Sequence, residues 1–271
     1  AAQTSIRKRE EFEGADVLVP NPEKLDAVEH LLRERPSLGS ALVPRDRPTS
    51  PAALGRTRAT LKIQDGCNVY CSYCSIPYTR PVMRSRPVGE IIAEAEKLAS
   101  QGFLELVLTG VLIGSYGPET GSGGPRLPEL VTMLSKAISG VRIRISSIEM
   151  QDVDDALIDL CREGAIVPHF HIPLQSGSDG VLADMNRPYR KQEYLGLCRR
   201  LRREIPEITL TTDVLVGFPT ESDERFEESL QTCREAGFQK IHVFSFSPRY
   251  GTPADQWGDP VHPQTKQERR Q

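Results

Sequence analysis

The chain has 271 residues, 38% of them hydrophobic, with 34 basic against 37 acidic side chains and a formal charge of -3. That length supports one large domain or two ordinary ones, the composition excludes a disordered chain, and the near-cancelled charge excludes a histone-like polycation. No apolar run approaches the roughly 18 to 20 residues of a membrane span, and the opening Ala1-Ala2-Gln3-Thr4 lacks the charged-then-apolar order of a signal peptide, so the sequence reads as soluble and cytoplasmic.

Residues 1–35 carry a short apolar stretch at 15–19 and a helical pattern over 22–33 started by Asn21 as cap, which reads as the remnant of an α/β domain. Residues 36–58 hold Pro36, Pro44, Pro48, Pro51, Gly39 and Gly55 among few apolar residues, the composition of a linker. From 59 to 256 the pattern alternates. Strands are expected near 60–64, 104–109, 141–146, 169–173, 209–216 and 240–246, and helices near 88–101, 127–138, 152–163, 191–204 and 222–236. Strands separated by helices predict parallel crossovers, hence an α/β fold with an open sheet or barrel-like wrap whose chemistry gathers at the carboxyl ends of the strands. Residues 257–271 show no further strand and read as a tail leading toward another domain.

Of six cysteines, Cys161, Cys198 and Cys233 are dispersed in helical patterns and read as small core residues. Cys67, Cys71 and Cys74 crowd into one loop after the first expected strand. Three thiolates at this spacing can bind three corners of an iron–sulfur cube and leave the fourth iron for an outside ligand. The competing reading is a structural zinc site in a nucleic-acid-binding module without catalysis.

The flanking residues extend the pattern. Gln64-Asp65-Gly66-Cys67 through Cys74-Ser75-Ile76-Pro77-Tyr78-Thr79-Arg80, then Leu108-Thr109-Gly110, Gly114-Ser115-Tyr116-Gly117, Ser146-Ser147-Ile148-Glu149, His171-Ile172-Pro173-Leu174-Gln175-Ser176-Gly177 and Thr212-Asp213 to Gly217-Phe218-Pro219 resemble the radical S-adenosylmethionine methylthiotransferases. The sequence is most similar to the branch acting on threonylcarbamoyladenosine in tRNA; the branch acting on isopentenyladenosine is the alternative. It departs from that branch at Leu112, where His is usual, Met150, where Pro is usual, and Pro81 and Thr220, where Gly is common.

The resemblance implies a six-fold (β/α) partial TIM-type barrel that adds a methylthio group to C2 of a modified adenosine next to the anticodon. It implies a 4Fe-4S cluster on Cys67, Cys71 and Cys74, and S-adenosylmethionine chelated to the open iron and cleaved reductively, with electrons from a donor such as flavodoxin or ferredoxin. By the same resemblance Tyr73 lies against the adenine of that cofactor, Thr109 and Gly110 hold its methionine amino group, Ser147 and Glu149 reach its ribose and methionine portions, and Gln175 and Asp213 contact cofactor or substrate. A second 4Fe-4S cluster, the sulfur-inserting one, is expected only in the intact protein, because no cysteine precedes Cys67. This chain is then expected to cleave S-adenosylmethionine without completing methylthiolation, and to bind tRNA weakly for want of the family's small nucleic-acid-binding domain.

Charge patches suggest where a polynucleotide would lie. Residues 42–86 hold eight basic side chains, including Arg45, Arg47, Arg56, Arg80, Arg84 and Arg86, against Asp46 and Asp65; residues 187–203 hold seven against Glu193. Arg80, Arg84 and Arg86, directly after the cysteine loop, are the expected tRNA phosphate contacts, whereas for Arg199 to Arg203 a solvated helix face is an equal reading.

Overall fold

The computed structural model describes residues 57–117 and 124–271; the expected domain remnant at 1–35, all but the end of the linker, and Arg45, Arg47 and Arg56 lie outside the described residues. Among the described residues no helix is long and apolar enough to cross a membrane.

Six parallel strands carry the fold in chain order. β1 (Arg58–Lys62) pairs with β4 (Glu105–Thr109), and β4 with β5 (Arg142–Ile145), bringing Leu61, Leu108 and Ile145 into line across the sheet. β6 (His169–His171), β7 (Thr209–Val216) and β8 (Lys240–Ser245) form a second parallel trio. The two trios meet where Ser147 bridges His171, with Ile148 N–H donating to the His171 carbonyl at 3.0 Å and Val167 N–H to the Ile143 carbonyl at 2.9 Å. The result is a curved, open wall of strands with helical crossovers, the expected partial barrel.

The period-two pattern of each strand decides its two faces. Leu61, Leu106, Leu108, Ile143, Ile145, Phe170, Leu210, Val214 and Val216 are buried in one apolar core with residues of the covering helices α2 (Val88–Ser100), α3 (Leu127–Ala137), α4 (Asp155–Arg162) and α6 (Lys191–Glu204), against which α7 (Asp223–Ala236) also packs. The opposite face is polar. Near the amino ends of the strands Glu105, 1% exposed at its side chain, meets Arg58 at 2.8 Å and Arg144 at 2.7 Å, and also pairs with Arg142. Burial would raise the Glu105 carboxyl, but Arg144, Arg58 and Arg142 together hold it below the ordinary carboxylate value.

Three local outcomes differ from the sequence expectation. The first strand stops at Lys62, and Gln64–Asp65 (β2) instead forms a two-residue antiparallel hairpin with Arg84–Ser85 (β3), enclosing the cysteine loop and the short helix α1 (Ile76–Thr79). α4 starts at Asp155, not 152, because the Asp154 carboxylate caps it by accepting the Leu157 N–H at 3.0 Å while Met150–Asp152 makes a separate tight turn. The tail folds back. Within it α8 (Pro263–Arg269) buries Arg269 against Glu221 at 2.7 Å and sends Lys266 Nζ to the Phe246 carbonyl at 2.9 Å.

Candidate active site

The cysteine loop leaves β2 through Gly66, whose φ of +86° is left-handed and whose missing Cβ would stand 2.2 Å from the Val82 carbonyl oxygen, so only glycine lets the loop begin there. Cys71 is buried and Cys67 and Cys74 are half-buried. The loop is pinned from the opposite side of the wall by the turn after α5 (Asp179–Asp184): Ser72 N–H donates to the Met185 carbonyl at 3.0 Å, Ser72 Oγ to the Asp184 carbonyl at 2.7 Å, and Asn186 Nδ2 to the Tyr70 carbonyl at 3.0 Å. Burial pushes the Cys67 and Cys74 thiols above their ordinary value against the lowering effect of the Val69 and Ile76 backbone N–H groups, so a metal must displace protons to bind here.

The donor set suits a cluster better than a single ion. One zinc with bonds of about 2.3 Å would draw three thiolates to about 3.8 Å of one another. Among the described residues the group of three His, Cys, Asp or Glu donor atoms that converges within 4.8 Å is His171, Asp213 and His242, not the cysteines. Three cysteine thiolates on one loop can hold three corners of an iron–sulfur cube and leave the fourth iron for an outside ligand. The other three cysteines belong to the helical layer, where burial first of all pushes Cys161, Cys198 and Cys233 up to about 11 and keeps them as inert thiols.

Around this loop the expected site residues fall into two groups. Glu149, just past β5, is ion-paired with Arg187, whose Nη1 donates to Cys71 Sγ at 3.2 Å and whose Nε donates to Tyr189 Oη at 3.1 Å. Tyr73 packs edge-on to Phe218 at 6.5 Å beside Val181, Met185 and Phe246, and burial pushes its phenol well above the usual tyrosine value. Thr109 and Gly110 close β4. A Cβ at Gly110 would stand 3.0 Å from Gln64 Oε1 and crowd that side chain. Fully buried Gln64 accepts the Val111 and Leu112 N–H groups at 3.0 and 2.8 Å and donates to the Asp65 and Gly66 carbonyls at 2.9 Å each.

The second group lines the far half of the wall. Ser147 is exposed beside β6. Gln175 adopts φ 63°, a left-handed conformation that costs a non-glycine residue energy, and its backbone continues the ladder by bonding the Asp213 carbonyl and the Leu215 N–H, each at 2.8 Å. Asp213 Oδ1 lies 3.2 Å from His171 Nε2 and 3.3 Å from His242 Nδ1, and His171 Nδ1 meets Thr211 Oγ1 at 2.9 Å. Thr211 in turn meets His169 at 3.2 Å, and burial, then Arg144, lowers His169 to about 4. Within this group His169 Nδ1 is buried without a hydrogen-bond partner among the described residues.

The basic patches resolve unequally. Five of the seven cations at 187–203 have partners within the chain: Arg187 is buried, Arg199 pairs with Glu235 at 2.9 Å, Arg200 with Glu204 at 2.9 Å, Arg203 with Glu204 at 3.2 Å, and Arg202 bonds the Gly237 carbonyl at 2.8 Å, while Arg190 is exposed. Arg80 pairs with Asp65 at 3.2 Å and Arg86 with Glu94 at 2.8 Å, while Arg84 is exposed and has no ion pair among the described residues. The sequence marks Arg187 only as a member of a charge run and Gln64 only as part of a motif, and it does not single out Tyr189. An arginine followed by proline, just outside the expected helix at 191–204, is the available signal for the first.

Comparison with known proteins follows this geometry. The family described as the radical SAM superfamily matches residues 61–233. The chain is 43% identical over 218 residues to the tRNA-2-methylthio-N(6)-dimethylallyladenosine synthase of Geobacillus thermodenitrificans, covering 80% of the chain and 42% of that protein. It is 38% identical over 278 aligned residues to the threonylcarbamoyladenosine tRNA methylthiotransferase MtaB of Bacillus subtilis, covering 99% of the chain and 61% of that protein. The chain thus spans roughly half the length of these relatives. Among solved structures, the radical S-adenosylmethionine methyltransferase TsrM from Kitasatospora setae aligns at TM-score 0.61 and 17% identity over 73% of this chain and 38% of that one. Coproporphyrinogen III oxidase HemN from Escherichia coli aligns at 0.58 and 16% over 82% and 51%. At such identities the likeness shows the fold.

Proposed function

This chain belongs to the radical SAM superfamily, and on that premise we propose that it is the S-adenosylmethionine-cleaving portion of a tRNA methylthiotransferase. The observation that carries the reading is the three-cysteine loop held at the carboxyl ends of a parallel wall, with Glu149, Tyr73 and Gly110 drawn around it. Cys67, Cys71 and Cys74 would hold a 4Fe-4S cluster, which, reduced by a donor such as flavodoxin or ferredoxin, would supply the electron for reductive cleavage of S-adenosylmethionine.

The chain's own residues bind and orient. Gly110 lets Gln64 pack against the turn that would receive the methionine amino group, and the Gln64 carboxamide keeps that turn in register with the cysteine loop. Tyr73, backed by the buried Phe218, presents an apolar flank to an adenine ring. Glu149, Ser147, Gln175 and Asp213 supply polar groups along the carboxyl edge to ribose, methionine or substrate. Arg84, with Arg80 and Arg86 beside it, offers phosphate contact to tRNA.

The proposed substrate is a tRNA adenosine modified at N6 that would receive a methylthio group at C2, a reaction for which the resemblance implies a second, sulfur-inserting 4Fe-4S cluster. Threonylcarbamoyladenosine is favoured by the motifs at 109–117 and 146–149 and by the relative that aligns with 99% of the chain. Dimethylallyladenosine is the second reading, supported by the relatives at 43% identity. Mass spectrometry of tRNA nucleosides from cells lacking the intact gene decides: loss of methylthio-threonylcarbamoyladenosine supports the first, loss of the dimethylallyl counterpart the second, and an unchanged nucleoside profile contradicts both.

A further inference from the structure

We infer that Arg187 is a positioning residue that sets the reduction potential of the cluster, with Glu149 as its counterweight. The inference rests on the functional reading above, since it concerns the cluster that the three cysteines would hold. It goes beyond that reading by assigning a role to a side chain outside the cysteine loop.

Every arm of the Arg187 guanidinium is committed. Nη1 donates to Cys71 Sγ at 3.2 Å, Nε donates to Tyr189 Oη at 3.1 Å, and Nη2 is ion-paired with Glu149. Tyr189 is itself fixed, its hydroxyl 2.9 Å from the Pro173 carbonyl, and the guanidinium lies 5.0 Å from the Tyr189 ring centroid. The Arg187 side chain is 2% exposed. A permanently charged group in such a place is costly unless its partners require it, and only one of its contacts is a carboxylate.

The chain also fixes Arg187 relative to the cysteine loop rather than leaving the contact to a flexible side chain. Met185 accepts from Ser72, and Asn186, in a left-handed turn at φ 56°, holds the Tyr70 carbonyl at 3.0 Å. Arg187 is the next residue. Loop and turn thus form one unit with the guanidinium at its centre.

The electrostatic consequence has a definite sign. Adding an electron to a cluster on three thiolates increases its negative charge, and a buried fixed cation with an N–H on a ligating sulfur stabilises that reduced form. Glu149 lies on the other arm of the same guanidinium and offsets part of this field. Loss of the Arg187 charge therefore moves the midpoint in the negative direction, and loss of the Glu149 charge moves it in the positive direction. A purely structural ion pair would give no such opposition.

The test is a potentiometric titration of the anaerobically reconstituted chain without S-adenosylmethionine, read by electron paramagnetic resonance of the reduced cluster, with iron content measured on each sample. Arg187→Met is expected at a more negative midpoint, Arg187→Lys between it and the unaltered chain, and Glu149→Gln at a more positive one. A fully loaded Arg187→Met at the unaltered midpoint, or Glu149→Gln shifted in the same direction as Arg187→Met, overturns the inference. If Arg187→Met takes up no iron, unchanged midpoints in both Arg187→Lys and Glu149→Gln overturn it equally. Zinc uptake without iron would overturn the functional reading and this inference with it; a cluster that cleaves S-adenosylmethionine but ignores both substitutions would overturn this inference alone.

Discussion

The Gln64 carboxamide oxygen accepts the backbone N–H of Leu112 at 2.8 Å, although the two residues lie 48 positions apart on different strands' ends. Leu112 stands where the resembled branch usually has histidine, and its role here is carried by its backbone while its side chain is buried. Through this contact and that to Val111, one side chain sets the spacing between the turn after β4 and the cysteine loop.

Gln64→Met keeps the size and removes these bonds, leaving buried N–H and C=O groups unpaired, each worth about 1 to 3 kcal/mol. We expect a loss of about 2 to 4 kcal/mol in urea unfolding, with a lower iron content after reconstitution. Unchanged stability together with full iron loading would contradict the role given to Gln64.

The Asp152 carboxyl is raised to about 6, by burial first and then by the charges of Glu149 and Asp154. Its Oδ2 is buried without a hydrogen-bond partner among the described residues. A raised acid binds its proton more tightly in the folded state, so its contribution to stability is full below about pH 4 and is lost as the pH rises through about 6. Asp152→Asn removes that loss. Compared with the unaltered chain it should be more stable at pH 8, by about 1 to 2 kcal/mol after allowing for solvent screening, and show little gain at pH 4. The difference between the two proteins is the quantity to follow, because His169, lowered to about 4, gives a slope of opposite sign over the same range in both. A gain independent of pH would contradict the assignment.

Arg269 and Glu221 are buried together, 6% and 1% exposed at their side chains, and Glu221 also accepts the Gly217 N–H at 2.7 Å. Arg269→Met leaves that carboxylate without its cation, which costs about 3 to 5 kcal/mol for a buried pair. Because Gly217 precedes Phe218, which packs against Tyr73, the same substitution is expected to weaken S-adenosylmethionine binding measured by calorimetry. A stability change below about 1 kcal/mol would show that α8 is docked by other contacts.

The barrel was legible because its signal is repeated: six strands and five helices each carry a period, and the structure moves their ends by a few residues at most. The short pieces were not. β2 and β3 have two residues each, too few to show alternation, and α8 is polar enough to read as tail until Lys266 and Arg269 find buried partners. The spacing of Cys67, Cys71 and Cys74 points to a metal site but leaves zinc open, and it is the resemblance of the flanking motifs that implies a cluster. Arg187 was not, because composition counts it with the surface arginines of α6, and only the fold shows that its charge points inward to Cys71 and Glu149. Asp213 was marked for cofactor or substrate, and the structure adds that His171 and His242 already share one of its oxygens.

The most direct measurement is anaerobic reconstitution of this chain with iron and sulfide, followed by metal analysis and incubation with S-adenosylmethionine and dithionite. The account predicts about four iron atoms per chain, a broad sulfur-to-iron absorbance, and 5′-deoxyadenosine as product, all lost when Cys67, Cys71 and Cys74 are replaced together by alanine. One zinc per chain with no iron, or a loaded cluster that leaves S-adenosylmethionine intact, would contradict it.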